Sequence, residues 1–471
     1  MTPKLLWVLP LLFCLPETLP ATDLSVDAYL EQAMRSSEDL SAIDLDIQSL
    51  RAEIEARDLE LSPTLALELG RFWDRRQTFS SNPEREGRSA DLLLAKPFAT
   101  GTRVNVLSGY EATALRSAPN QDRHVLGWEV GVSQSLWQNS FGRQTALRRR
   151  RDRNELHSRL LALTLEKQQT LIELEGLYWD LSYAQQEIRI RTENLERSRR
   201  ILSWIRDRFG RSAAERTDLL QAQALVSERE LELQTATDNF KTIQARLKER
   251  FAFDVDFSPR EADLQQERAL EAFVATIDFA PSEPVSIESL QARAEMDFSA
   301  AQSKFQKDRL KPVLEIGYAY GQQGADTSYS RARTEASMND NDYHQIGVVF
   351  ATPLDFPLIS KARRAFENQA EARAFRAARL ERQSRIQWID LKRDVREQKV
   401  RVETALRLSK IQQEKSSEER SRYQKGRSTA FQAITFEQDA AESELLVLQL
   451  LAQLRRTESR ARAYIRGTAS T

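Results

Sequence analysis

Histidine and cysteine, side chains that often carry catalysis or bind metal ions, are scarce in this sequence. Its three histidines, His124, His157 and His344, lie in unrelated contexts, and none has a second metal ligand at helical spacing. We find no glycine-rich phosphate loop, nucleophile elbow or Cys/His cluster, and the one cysteine is Cys14. We therefore expect no catalytic, cofactor or metal site, and we interpret the histidines as surface or packing residues.

Charged residues are abundant and balanced. They make up 30% of the 471 residues, and the formal net charge is -1. A balanced chain has no basic field that would collect nucleic acid, so nucleic acid is not expected as a partner. Only 15 Gly and 14 Pro occur, which favours long helices over many short elements. On such helices, carboxylates and guanidinium groups are expected to form solvated faces and i to i+4 pairs.

The first 21 residues have the layout of a secretory signal peptide. An apolar run from Leu5 to Leu15 follows Lys4, and a Pro-containing stretch ends at Ala21. The alternative is a short buried helix, but three prolines would interrupt it. Cleavage near Ala21 would leave an exported chain without thiols, and a lipid anchor at Cys14 is disfavoured because the bulky Phe13 precedes it. No later segment has the ~18 uncharged apolar residues of a membrane-spanning helix, so if the chain spans a bilayer, strands must do it.

Residues 22–251 predict helix, strands and then a long helical hairpin. After a helix candidate at 25–61, Pro63 begins the period-two alternation typical of strands. The further strand candidates lie at 91–97, 102–112 and 126–137. Apolar residues at spacings of three and four then predict a long helix from about 142, a break at Gly210 and a second helix to about 251. The strands are thus expected within about 63–137 and the hairpin over about 142–251.

The same order of elements recurs in residues 286–471, after a linker at 252–285 that is richer in Pro and acidic residues. Strands are expected within about 312–352, and a long helical hairpin, broken at Gly426, over about 359–465. Echoes in sequence support an internal duplication. Residues 61–70 match 310–319, and residues 129–132 match 345–348.

This plan resembles that of the TolC-like outer-membrane efflux proteins, and the resemblance covers nearly all of the mature chain. It depends on four motifs: a Pro-opened strand, a strand ending in Gln-x-Leu before a Gly and a long helix, an aromatic-x-x-Gly turn, and an Asp-Leu-Leu-x-Ala-like stretch. In this sequence they appear as Pro63 and Pro312, Gln134-Ser135-Leu136 with Phe141-Gly142-Arg143, Tyr423-Gln424-Lys425-Gly426, and Asp218-Leu219-Leu220-Gln221-Ala222.

The resemblance implies a mainly α protein with β strands, built from a duplicated helix-strand-strand-helix-helix repeat. Each chain of a homotrimer would add two pairs of strands to one shared outer-membrane β-barrel, continued by a long periplasmic α-helical barrel. The channel would lie in outer-membrane lipid of a Gram-negative-type cell, working with an inner-membrane pump and a periplasmic adaptor protein in efflux or type I secretion. Oligomerisation is also expected on physical grounds, because a few strands cannot close a pore and bare strand edges are not tolerated in lipid.

Within this resemblance, alternate side chains of a strand would face lipid and lumen. The lipid-facing residues of the strand after Pro312 would be Leu314, Ile316, Tyr318 and Tyr320, and Glu315 and Gly317 would face the lumen. Taken alone, the alternation fits a half-buried strand of a soluble protein equally well. The first half also holds two additional strand candidates around the turn at 99–102, which could form an extracellular hairpin or enlarge the barrel.

The residues expected to matter for function lie at the two helix breaks, which the resemblance places at the periplasmic tips. They are Asp207, Phe209, Arg211, Asp218, Tyr423, Lys425, Gly426 and Arg427. If the helices close there like an iris, salt bridges and hydrogen bonds among these groups would hold the resting state until an inner-membrane partner releases it. The alternative is turn chemistry, in which Gly ends a helix and charges cap its dipole. In the second half Gln432 replaces the acidic residue, so no carboxylate ring is evident there.

A second function class also fits part of this pattern. A periplasmic adaptor or coiled-coil scaffold protein would likewise have a signal peptide and helical hairpins. Two hairpins in duplicated order argue against an adaptor, as does the lack of paired lipoyl-like β segments flanking a single hairpin.

Overall fold

The computed structural model describes residues 22–74, 85–115, 118–212, 214–251, 257–260, 264, 273–277 and 286–469. The predicted signal peptide at 1–21, including Cys14, lies outside these residues. The chain divides into two compact units. The first unit comprises Met1–Asp44, Glu166–Pro284 and Arg385–Thr471, and the second comprises Leu45–Leu165 and Val285–Ser384. Each unit therefore draws on both halves of the sequence.

The chain begins with a short strand and two helices, where one helix was expected at 25–61. Strand β1 (Thr22–Leu24) pairs in parallel with β6 (Phe257–Pro259). Helix α1 (Val26–Ser36) is separated from α2 (Glu38–Ala56) by Ser37, and a 3₁₀ turn follows at Arg57–Leu61. The interruption has a physical cause, because Ser37 has an extended backbone and forms an isolated β-bridge with Phe251.

Six strands of the second unit form one antiparallel sheet in the order β2-β3-β4-β5-β7-β8. They are β2 (Thr64–Asp74), β3 (Arg85–Pro97), β4 (Thr102–Leu115), β5 (Ala118–Ser135), β7 (Val313–Asp326) and β8 (Asp342–Ala351). Several strands run beyond the predicted alternation, because pairing with a neighbour continues where the apolar pattern stops. Strand β5, for example, was expected to begin at 126 but pairs with β4 from Ala118.

Long helices account for most of the remaining described residues. They are α3 (Arg143–Gly210), α4 (Arg216–Arg250), α5 (Ile287–Arg309), α7 (Phe356–Gln424) and α8 (Ala430–Ala469), with the short α6 (Tyr329–Glu335) between β7 and β8. The order helix, strands, long helix, break, helix is found in each half, and α6 lies where only a polar connection was expected. Among the described helices, none combines the length and apolarity needed to cross a membrane.

The first unit has an apolar core built from helices of both halves. Tyr29 of α1, Trp179 of α3, Leu247 of α4 and Leu448 of α8 meet in one buried cluster. Tyr29 also donates a hydrogen bond of 3.0 Å to the carbonyl oxygen of Leu174, which pairs its buried hydroxyl group.

The predicted linker at 252–285 is described only in part. Leu264 and Ile277 are both 0% exposed. Leu264 packs in the cluster around Trp179, and Ile277 packs with Val395 and Leu454. These parts of the stretch therefore contribute to a packed core rather than to a solvated connection.

Candidate functional site

The six-stranded sheet has one markedly apolar face. Directly paired residues of antiparallel strands project to the same face, and one cross-strand row consists of Leu65, Leu94, Val106, Val130 and Tyr320. Several of its apolar side chains are exposed, among them Val106 at 36%, Leu94 at 43% and Leu65 at 69%. An antiparallel sheet in water normally buries such a face, so this surface requires an apolar environment outside the chain.

The opposite face is polar. One of its rows runs Glu68, Asp91, Gly109, Gly127 and Gln323. Glycines leave room beside the acidic side chains, and a hollow of about 210 Å³ lies over this region. The same face carries three further carboxylates, those of Glu111, Glu129 and Glu315. The alternation expected for β7 follows this division, with Ile316 and Tyr318 on the apolar face and Glu315 and Gly317 on the polar one.

The turn between β3 and β4 lies at the end of the sheet that joins the helices. Gly101 adopts φ +76°, and its carbonyl oxygen accepts a hydrogen bond of 3.1 Å from the Ser135 amide. Gly142, at the start of α3, adopts φ +83° with an ideal Cβ position 2.0 Å from the oxygen of Ala99, so no side chain fits there. Lys96 donates a hydrogen bond to the Leu61 carbonyl oxygen at 2.6 Å. Strands β3 and β4 are therefore integral strands of the sheet, one of the two alternatives left open by the sequence, and their turn lies next to the helices.

The first helix break shows mostly turn chemistry. Helix α3 ends at Gly210, and the Arg211 and Ser212 amides donate to the carbonyl oxygens of Arg208 and Phe209. Asp218 belongs to a capping box, in which its carboxylate accepts a hydrogen bond of 3.2 Å from the Glu215 amide. Of the other predicted residues, Asp207, Phe209 and Arg211 have exposed side chains.

The second break ends helix α7 with a Schellman motif. Gly426 adopts φ +74°, its amide donates to the Tyr423 carbonyl oxygen at 2.9 Å, and the Arg427 amide donates to the Arg422 carbonyl oxygen at 2.9 Å. The Lys425 amide donates to Ser421, and the side chains of Lys425 and Arg427 are exposed. The observed contacts of Gly426, Lys425 and Arg427 are thus those of a helix end.

Tyr423 differs from the other predicted residues because it connects the two helical hairpins. Its side chain is 2% exposed. The Arg208 guanidinium group of α3 lies 4.8 Å from the centre of its ring and donates a hydrogen bond of 3.1 Å to its carbonyl oxygen. Burial raises the pKa of Tyr423, an effect that the Arg208 charge partly opposes. Among the described residues the phenolic oxygen has no hydrogen-bond partner.

A buried ionic network lies on the same hairpin contact, and sequence reasoning missed it. Glu437 of α8 is 3% exposed and accepts hydrogen bonds from Arg197 Nε (2.5 Å), Arg420 Nη2 (2.9 Å) and Ser416 Oγ (2.8 Å). Arg197 also donates to Glu444 at 2.8 Å. Burial lowers the pKa of Arg197, but Glu444 and Glu437 outweigh it, so the pKa is raised on balance. We call Arg197, Ser416, Arg420, Glu437 and Glu444 the hairpin network.

One sequence signal could have revealed this network. The apolar stripe of α8 includes Ala430, Ala433, Ile434 and Ala441. Glu437 lies at the helical spacing of that stripe, three residues after Ile434, where an apolar residue is expected. A charge on a buried stripe is costly unless it is paired. Such a residue therefore predicts a partner on a facing helix, although not which one.

Solved structures provide the comparison that identifies the fold. The outer-membrane channel OprN superposes with a TM-score of 0.69 at 14% identity, covering 94% of this chain and 90% of that one. CusC gives 0.68 at 10% identity, with 94% and 92% covered. The outer membrane protein VceC of Vibrio cholerae gives 0.64 at 13% identity, with 93% and 95% covered. The chain has the TolC-like outer-membrane channel fold.

The TolC-like fold thus extends over almost the whole chain, as the sequence motifs predicted. The likeness is one of structure, since no protein-family model matches the sequence and no curated protein matches it. In the part of this channel fold that the structure describes, no three His, Cys, Asp or Glu side chains are grouped as ligands for a metal ion.

Proposed function

We propose that this chain is the channel subunit of an efflux pump or type I secretion system in the outer membrane of a Gram-negative-type cell. Three copies would conduct substrates passively from the periplasm to the exterior, with an inner-membrane pump and a periplasmic adaptor as partners. The observation that carries this proposal is the sheet. Its apolar face, and its edge strands β2 and β8, which are unpaired on their outer sides among the described residues, are combined in one chain with long helical hairpins. OprN, which has the same fold, is described as an outer-membrane channel.

The exposed apolar residues support lipid as the environment of the sheet. Leu67 and Leu69 of β2 are 64% and 72% exposed, and Ile346 and Val348 of β8 are 74% and 65% exposed. These side chains lie on the same face at its two edges, and soluble monomers rarely expose large apolar patches. In a bilayer the same face contacts hydrocarbon, while the acidic face borders water in the lumen.

The resting state of the channel is proposed to depend on the contacts between the two helical hairpins. Arg208 and Tyr423 connect α3 with α7, and Arg197 and Glu437 connect α3 with α8. Opening of an iris would require these helices to separate, which would remove partners of the buried Glu437 carboxylate. Binding of the inner-membrane partner would then have to offset the free energy that these contacts contribute to the closed state.

The repeat organisation belongs to the same proposal. Residues 22–251 and 286–471 are interpreted as two copies of one efflux-protein repeat, joined by residues 252–285. The order of elements supports this, because α2, β2, β5, α3 and α4 of the first half correspond to α5, β7, β8, α7 and α8 of the second.

Two measurements on the full-length product test the function. Purification from membrane fractions in mild detergent, followed by light scattering, is expected to give a trimer. Reconstitution of that trimer in planar bilayers is expected to give ion conduction without nucleotide or pump. A water-soluble periplasmic monomer or dimer would overturn the proposal and favour the adaptor.

A matched pair of variants tests whether the apolar face meets lipid. Ile346 and Gln345 are neighbours on β8 and project to opposite faces. We expect Ile346→Lys to reduce the amount of folded trimer in the membrane, because a lysine facing lipid costs about 2–4 kcal/mol near the bilayer midplane. Gln345→Lys faces the lumen and is expected to leave the trimer intact. Equal yields of the two variants would contradict the proposed placement.

A further inference from the structure

The first half of the chain contributes two strand pairs to the sheet, twice the number that the resemblance implied. Strands β3 and β4 lie between β2 and β5 and pair along their whole lengths. Pairing of β2 with β3 runs from Thr64 opposite Ala95 to Asp74 opposite Arg85 without a register shift. The hairpin formed by β3 and β4 is therefore part of the same wall and not an appendage of it.

The side chains of this hairpin continue the two-faced pattern of the neighbouring strands. Leu92 and Leu94 of β3 and Val106 of β4 lie on the apolar face, in register with Leu65 and Leu67 of β2. The opposite face of the hairpin carries polar residues, among them Asp91, Asn105 and Glu111, together with the mutually opposed Leu93 and Leu107. The hairpin is thus suited to the same two environments as the strands beside it, lipid on one face and water on the other.

The two edges of the sheet fit a second copy of this chain. Strand β2 has 11 residues and β8 has 10, so their bare edges have almost equal lengths. Successive strands alternate in direction across an even number of strands, which makes β2 and β8 antiparallel. Strand β8 of one copy can therefore pair in antiparallel fashion with β2 of the next, with the apolar residues of both on one face.

A barrel closed within one chain would be too narrow to conduct. A barrel of six strands would have a diameter of about 12 Å at a strand spacing of ~4.8 Å and a tilt of ~40°, smaller than the eight-stranded barrels whose interior is already filled by side chains. A conducting pore therefore requires additional strands from other copies.

We propose that three copies of this chain close an 18-stranded barrel, with β3 and β4 of each copy in its wall. The inference depends on the proposed trimeric channel and adds its strand number and width. At the same spacing and tilt, 18 strands give a diameter of about 36 Å between backbones, against about 24 Å for the 12 strands that two pairs per chain would provide. The cross-section of the outer-membrane pore is then about twice as large.

Cysteine accessibility in the full chain tests this assignment. In a Cys14→Ser background, single cysteines replace Asn105 and Val106, which are neighbours on β4 and project to opposite faces. A matched reference pair on β5 replaces Ser133 and Val132. In trimers reconstituted in vesicles, we expect the Asn105 and Ser133 variants to react with a membrane-impermeant maleimide. The Val106 and Val132 variants are expected to lose that reaction and to react with a lipid-soluble maleimide.

The possible outcomes distinguish a failure of the 18-stranded barrel from a failure of the proposed channel. If the β5 pair shows the alternation and the β4 pair reacts equally at both positions, the hairpin lies outside the wall and the 18-stranded barrel is refuted, while the channel stands. If neither pair alternates, the proposed channel and the strand number both fail. Cryo-electron microscopy of the trimer in nanodiscs counts the strands directly. Eighteen would support the inference, and 12 would overturn it.

Discussion

Removal of the Glu437 charge is expected to destabilise the contact between the two helical hairpins. The carboxylate is 3% exposed and accepts hydrogen bonds from Arg197, Arg420 and Ser416. In Glu437→Gln one acceptor oxygen remains, but the negative charge is lost and an amide group faces one of these donors. Breaking a buried ion pair costs 3–5 kcal/mol, and because one hydrogen bond remains we expect about 3 kcal/mol per subunit.

The same loss of free energy is expected to change the ratio of closed to open channels. If the hairpin network is formed only in the closed state, about 3 kcal/mol shifts the ratio of closed to open channels by roughly 150-fold per subunit. Single-channel recording in planar bilayers measures this ratio, and thermal unfolding of the detergent-solubilised trimer reports stability separately. We expect a markedly higher open probability for Glu437→Gln.

Two further Glu→Gln variants of the same helix serve as comparisons for Glu437→Gln. Glu442 is exposed, so Glu442→Gln makes the same chemical change at a cost within about 0.5 kcal/mol. Glu444→Gln removes one partner of Arg197 at a site 16% exposed and is expected to have an intermediate effect. A Glu437 variant that unfolds earlier without opening more often would show that the network stabilises the fold and does not hold the gate.

Three further predictions concern stability. In Gly142→Ala the added Cβ would lie 2.0 Å from the Ala99 oxygen, at a residue with φ +83°, so the β3–β4 turn is expected not to dock. Gly176→Ala, whose added Cβ enters open space, is the matched control, and thermal unfolding compares the two variants. Gly426→Ala meets no clash but requires a left-handed alanine, so a loss of about 1 kcal/mol is expected, and an unchanged melting temperature would contradict the helix-end role. Arg57→Ala is expected to cost about 1–3 kcal/mol, because the buried Glu155 carboxylate loses its main partner and keeps Arg159. The Arg57 hydrogen bond lowers the pKa of Glu155 in the folded protein. The stabilisation by this ion pair is therefore fully present above the ordinary carboxyl pKa and is lost as the pH falls through the lowered pKa of the folded state. Acid unfolding of Arg57→Ala is expected to show less of this pH dependence.

The helices and most strands could be predicted because periodicity is a local property of the sequence. The expected start of α3 at about 142 differs by one residue from the observed Arg143, and α7 begins at Phe356 against an expected 359. The extensions of β3 and β5 could not be predicted in this way, because pairing with a neighbouring strand maintains them after the apolar alternation ends. Similarly, α6 has too few turns to show a period.

The candidate site was predicted less completely for a related reason. Tyr423 could be singled out because it begins the aromatic-x-x-Gly motif on which the family resemblance depends, and the glycine of that motif ends a helix. Its partner Arg208, and the contact of Arg197 with Glu437, join residues more than 200 positions apart. Which charges face each other across two helices depends on how the hairpins pack, and this information is not contained in the periodicity of either helix.

The β3–β4 hairpin is the kind of insertion that a two-faced sheet can accept without other changes. A single added strand would reverse the direction of every later strand, whereas a pair preserves it. The faces are preserved as well, because Thr64, Ala95, Asn105 and Gly131 form one cross-strand row, so that β2 and β5 would present the same faces if they were direct neighbours. With its turn beside Gly142, the hairpin also leaves the connection from β5 to α3 in place. The circumference of a barrel built from this sheet can therefore change without a change in the connection from β5 to α3.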